Sequence, residues 1–363
     1  MALETFWFIL IAVLWGGYFL LEGFDFGVGM LLPVLPRDER ERGIMFESIG
    51  PVWDGNEVWL VIVGGATFAA FPAWYATMFS GFYLALLLIL VLLIVRVVSF
   101  EWREKREDPG WRRTWLWANT IGSVGAPFLW GIALANLVQG VPLDSSHEFT
   151  GNILDLFSPY TVVAGLAVVA MFAAHGATYL TLRTLGGLEQ RAAATARRLA
   201  VPAAILGVGI GVWTVVVAHD SNDRGILPTA VVAALTAVAL ILAVACTRVG
   251  RSGWAFAATG LAAIGFVATI FTGLYPRVLV SSPTFANSLT ISNAASGHYA
   301  LKVITIVALI FTPLIVLYQG WTYHVFRKRL GGEPVLAPRP AAGAEPTDEP
   351  PADLGDGDTV AGY

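Results

Sequence analysis

The sequence predicts an all-α polytopic membrane protein with about nine transmembrane helices: two four-helix groups and one peripheral helix. Three observations predict it. Of 363 residues, 56% are hydrophobic and only 13% charged, about half the charged share of a typical soluble domain. The charges also avoid long stretches: residues 58–95, 114–143, 225–247 and 252–276 contain none. A helix needs about 20 mostly apolar residues to cross the hydrocarbon core, and such runs recur along the chain. Lys and Arg, finally, gather in every second loop.

The spans are predicted near residues 7–32, 50–72, 77–100, 115–140, 159–183, 200–218, 229–247, 254–275 and 301–326. The first run lacks a basic leader and a small-residue cleavage site, so it reads as a retained span rather than a signal peptide. Spans two and three are separated by the turn Phe71-Pro72-Ala73-Trp74-Tyr75, whose aromatics suit a membrane interface. No alternation with a period of two occurs, which argues against an outer-membrane barrel. Residues 1–330 form the transmembrane domain. Residues 331–363 are rich in Pro, Ala, Gly and acid and read as a disordered cytoplasmic tail.

Loop charge sets the orientation. Arg37, Arg40 and Arg42 follow span one; five Lys and Arg between Arg103 and Arg113 follow span three. Four follow span five, two follow span seven, and Arg327, Lys328, Arg329 and Arg339 follow span nine. The alternate loops hold only Arg224 and Arg277. The N-terminus is expected outside, the C-terminus inside, and the span count odd.

Charges inside spans need a reason, because each costs about 2.5–3.5 kcal/mol on insertion scales. Glu22 and Asp25 lie three apart on the inner half of span one, on a shared helix face. Asp54 and Glu57 repeat that spacing at the inner start of span two, with Asn56 between them. Four carboxylates and an amide at similar depth suit a proton path, since buried acids exchange protons near working pH. Glu22 and Glu57 read equally well as acids paired with a nearby Arg. Asp25 and Asp54 sit beside glycines, which favours a functional reading. Gly23 and Gly27 have the spacing of close helix contact. Arg96, at the inner end of span three, is expected to reach the headgroups.

Haem ligation inside a membrane needs two ligands at one depth. His175, His219, His298, His324 and His147 offer no such buried pair; an outer His219–His298 pair reads better as interface residues. The single cysteine, Cys246, lies in an apolar run and excludes cysteine-based zinc or iron–sulfur sites. A proton-coupled secondary transporter uses comparable acids, but it usually carries them at the midplane of repeated halves.

The runs Gly23-Phe24-Asp25-Phe26-Gly27-Val28-Gly29-Met30 and Trp53-Asp54-Gly55-Asn56-Glu57-Val58-Trp59 resemble the signature stretches of cytochrome bd oxidase subunit II. Ser80-Gly81-Phe82-Tyr83, Gln139-Gly140-Val141-Pro142, His175-Gly176-Ala177-Thr178-Tyr179-Leu180, Trp254-Ala255-Phe256 and Asn287-Ser288-Leu289-Thr290 follow in the same order. The resemblance spans about residues 5–328. It implies a quinol:oxygen oxidoreductase of the bacterial inner membrane. It also implies a partner, subunit I, that holds haem b, haem d and the quinol site, leaving no cofactor or metal ligated by this chain. Membrane lipid, quinol and small accessory subunits are further expected partners; nucleic acid is not. The family's proton-path acids match Asp25 and Asp54.

Overall fold

A computed structural model describes residues 2–222 and 225–331. The predicted tail at 331–363 lies outside them, apart from Gly331. The described residues form eleven α-helices: α1 (Ala2–Leu31), α2 (Glu39–Ile49), α3 (Trp53–Ala70), α4 (Pro72–Gly81), α5 (Tyr83–Trp102), α6 (Pro109–Gln139), α7 (Pro159–Arg183), α8 (Gly186–Asn222), α9 (Ile226–Arg248), α10 (Ser252–Leu274) and α11 (His298–Val325). Eight of these are long and apolar enough to cross a membrane. The shorter α3, with its polar first turn, makes the ninth span.

Helix starts follow local chemistry. Asp108 accepts the Trp111 backbone N–H at 2.7 Å ahead of α6, and Ser158 accepts that of Thr161 at 3.2 Å ahead of α7. Each is followed by Pro at the first helical position, where no N–H is missed. Asp38 caps α2 through the Glu41 N–H. This short amphipathic helix occupies what the apolar pattern leaves as a loop.

The two predicted groups are packed into one bundle rather than set apart, with α1 lying as much against α7 and α10 as against α3 and α6. α1, α3 with α4, α5 and α6 form one group, and α7 to α10 the other. They meet where α7 packs on α1 and α6, and α10 on α1. The seams are made of small residues. A Cβ on Gly27 would fall 2.0 Å from the Phe172 carbonyl oxygen, and one on Gly176 would fall 2.3 Å from the Gly27 carbonyl carbon. Gly131 and Gly165 bring α6 and α7 equally close. In lipid there is no hydrophobic drive between helices, so backbone-to-backbone approach supplies the packing. α11 stands apart: Leu301 is its one buried residue.

Three local expectations change. Phe71 and Trp74 are buried, not at an interface, because Pro72 starts α4 and folds the chain back against the bundle. α8 runs unbroken from Gly186, well before the apolar stretch, since its Arg-bearing first turns pack on α2. Arg191 donates to Glu41 and to the Leu35 carbonyl oxygen there. Arg96 does not reach outward, as described below.

The basic segments converge on one end of the bundle. Arg103 pairs with Glu39, and Arg329 pairs with Glu189 while donating to the Thr181 and Thr184 carbonyls. At the opposite end, residues 141–157 and 277–296 form a small cap. Its two-stranded sheet pairs β1 (Arg277–Leu279) with β2 (Leu289–Thr290).

Candidate functional site

The site lies in the basic half of the first helix group, where α1, α3 and α5 face one another. Arg96 of α5 points inward and is fully buried. Its Nη1 lies 2.6 Å from Glu22 Oε1 and 3.9 Å from Glu57 Oε2. The guanidinium also sits 4.5 Å from the centre of the Phe26 ring, an arrangement worth about 2 kcal/mol when water is excluded. α6 closes in behind it. Gly122 has no side chain, and a Cβ there would lie 2.7 Å from Arg96 Cβ. Asn119 donates to Ser99 Oγ at 2.9 Å along the same seam.

One helical turn along α1, Asp25 is equally buried. Its Oδ2 accepts a 2.6 Å hydrogen bond from Asn56 Nδ2. Asp25 Oδ1 has no N–H donor among the described residues. Glu57 is 19% exposed at the side chain, and Asp54, one turn earlier on α3, is on the surface. The acids therefore grade from exposed Asp54 through Glu57 to enclosed Glu22 and Asp25.

Of the predicted site residues, Glu22, Asp25, Asn56 and Glu57 come together; Asp54 stays at the rim. Three participants were missed. Arg96 is the cation of the cluster; the sequence marks it as the first charge after a 38-residue uncharged run but does not say which way it turns. Gln319 and Tyr323 of α11 both bond to Asn56. Their mark in the sequence is a polar i, i+4 pair in an otherwise apolar helix.

Comparison with known proteins gives this geometry a family. Residues 3–326 match the model described as cytochrome bd terminal oxidase subunit II. The chain belongs to that family. Among curated relatives, cytochrome bd ubiquinol oxidase subunit 2 of Bacillus subtilis is 40% identical, over 91% of this chain and 97% of its own length. Cytochrome bd-I ubiquinol oxidase subunit 2 of Escherichia coli is 36% identical, over 92% and 96%. A chain in the structure of the bd oxidase from Geobacillus thermodenitrificans aligns with TM-score 0.73 at 20% identity, covering 90% of this chain and 99% of that one. That last likeness speaks for the fold alone. This subunit II chain is thus a multi-pass bacterial membrane protein.

Haem is the cofactor the family name implies, and the histidine placed deepest in this chain does not fit it. His175 Nε2 lies 3.1 Å from the Leu20 carbonyl oxygen, which only accepts, so that nitrogen carries its hydrogen. Nδ1 meets Thr259 Oγ1 at 2.7 Å, and the ring stacks on Phe256. Both nitrogens are committed to holding α1, α7 and α10 together.

Proposed function

We propose that this chain is subunit II of a quinol:oxygen oxidoreductase, binding a haem-bearing subunit I and contributing to the uptake of protons for oxygen reduction. Haem b, haem d and quinol oxidation are assigned to subunit I. Electron transfer then takes place in the partner, and this chain supplies scaffold and acid side chains. The orientation expected from loop charge sets the acid cluster towards the cytoplasm, with the N-terminus outside.

The observation that carries the proton reading is the buried cluster itself. Glu22 and Glu57 share the Arg96 guanidinium, and a third carboxylate, Asp25, is buried one helical turn away without a cation of its own within ion-pair distance among the described residues. Burying a net negative charge is costly in a low dielectric, so the cluster holds protons as well as Arg96. Glu57 and Asp54 connect it to the surface, and a proton that enters there exchanges among neighbouring acids. Glu22 and Asp25 are its enclosed stops in this chain. The partner in the assembly is a membrane subunit that accepts protons at a buried oxygen-reducing centre.

The experiment is oxygen consumption by the purified two-subunit complex carrying Asp25→Asn or Asp54→Asn. Turnover falls in both variants while the visible haem spectrum is unchanged, with the larger loss at Asp25. Wild-type turnover in both removes the proton role and leaves only the scaffold.

A further inference from the structure

Two of the polar contacts of α11 with the bundle converge on one carboxamide. Gln319 Nε2 donates to Asn56 Oδ1 at 2.8 Å, and Tyr323 Oη donates to the same oxygen at 2.7 Å. On its other side, Asn56 Nδ2 donates to Asp25 Oδ2 at 2.6 Å and lies 3.5 Å from the Leu21 carbonyl oxygen. Two donor hydrogens and two acceptor lone pairs are the full capacity of an amide, and all four are used. Turned over, the amide would set its NH₂ against two donors and its oxygen against a carboxylate. The α1 side, where the Leu21 carbonyl oxygen can only accept, therefore fixes which way the amide faces, and the two α11 groups hold its oxygen from the other side.

These contacts are not a by-product of packing, since α11 otherwise faces away from the bundle. Gly55 makes room for them: a Cβ there would come 3.2 Å from Gln319 Oε1. Phe24, Tyr179 and Phe256 ring the site, with Phe24 stacked on Tyr179 at 4.1 Å and 5.9 Å from Phe256.

We infer that Gln319 and Tyr323 are positioning residues for Asp25: by locking the Asn56 amide they hold Asp25 Oδ2 and leave Oδ1 as the atom that takes and releases the proton. The seating of the last span then sets one of the two enclosed acids. This inference rests on the proton-path reading, and its test separates the two.

The test uses the whole purified complex with Tyr323→Phe, Gln319→Leu, their double variant, Asp25→Asn, and the double variant combined with Asp25→Asn. The double variant is expected to lower kcat roughly three- to tenfold, the weight of one or two hydrogen bonds. The KM for oxygen and the haem spectrum stay unchanged. Combined with Asp25→Asn, the same substitutions cost nothing further. Infrared difference spectra provide a second readout: the carboxyl C=O band that Asp25→Asn abolishes shifts in Tyr323→Phe, which removes a single oxygen. An unchanged kcat and an unshifted band, with Asp25→Asn still slow, overturn the positioning role and leave the path standing. Full additivity with Asp25→Asn also overturns it. Wild-type turnover in Asp25→Asn removes the path and this inference with it.

Discussion

The seam between α1 and α7 and the seam between α11 and the rest of the bundle hold in opposite ways. At the first, Gly27 and Gly176 bring two backbones into contact over a wholly buried surface. At the second, an almost entirely exposed helix is gripped by Gln319 and Tyr323 at Asn56, by Trp7 Nε1 donating to Thr305 at 2.9 Å, and by Arg329 beyond its end. The first seam tolerates no added atom. The second depends on a few polar atoms and leaves its apolar face for lipid or another subunit. Permanent architecture is thus built from small residues, and the adjustable part from hydrogen bonds.

Substitutions break the comparison in order of size. Gly27→Leu is expected to cost more than about 3 kcal/mol by overpacking, and the chain should fail to run as a single species in detergent gel filtration. Arg96→Met leaves Glu22 without its partner, and removing one member of a buried pair costs about 3–5 kcal/mol. The thermal midpoint should drop sharply, and the paired variant Arg96→Met with Glu22→Gln should recover much of that loss. Tyr323→Phe removes one hydrogen bond at the α11 seam, about 1 kcal/mol, visible as a small shift of the midpoint. Arg329→Ala touches a half-exposed ion pair worth at most about 1 kcal/mol. Its mark should be easier proteolysis beyond α11 with little change in melting.

The spans were legible because apolar length is a direct requirement of the bilayer. The acids were legible for the converse reason, as exceptions that lipid does not tolerate without a cause. What escaped was partnership. Nothing in the local pattern around Arg96 says whether it turns outward to the headgroups or inward to Glu22, since either resolves its charge; the decision comes from Gly122, which lets α6 cover it. The same holds for Trp74, whose burial depends on a reversal at Pro72 rather than on its own neighbours. Asp54 and Asp25 looked alike by spacing and glycine flanks, yet one lies at the rim and the other inside. Depth within a bundle is a property of several helices at once.

The burial of Arg96 between Glu22 and Glu57 bears on how the protein is made. Both acids precede the arginine in the chain, so they leave the ribosome first and wait in the insertion machinery with no counter-ion. Only when the helix carrying Arg96 arrives can the earlier two settle into lipid beside it. Completion of the N-terminal half is thereby tied to a residue that comes late in it.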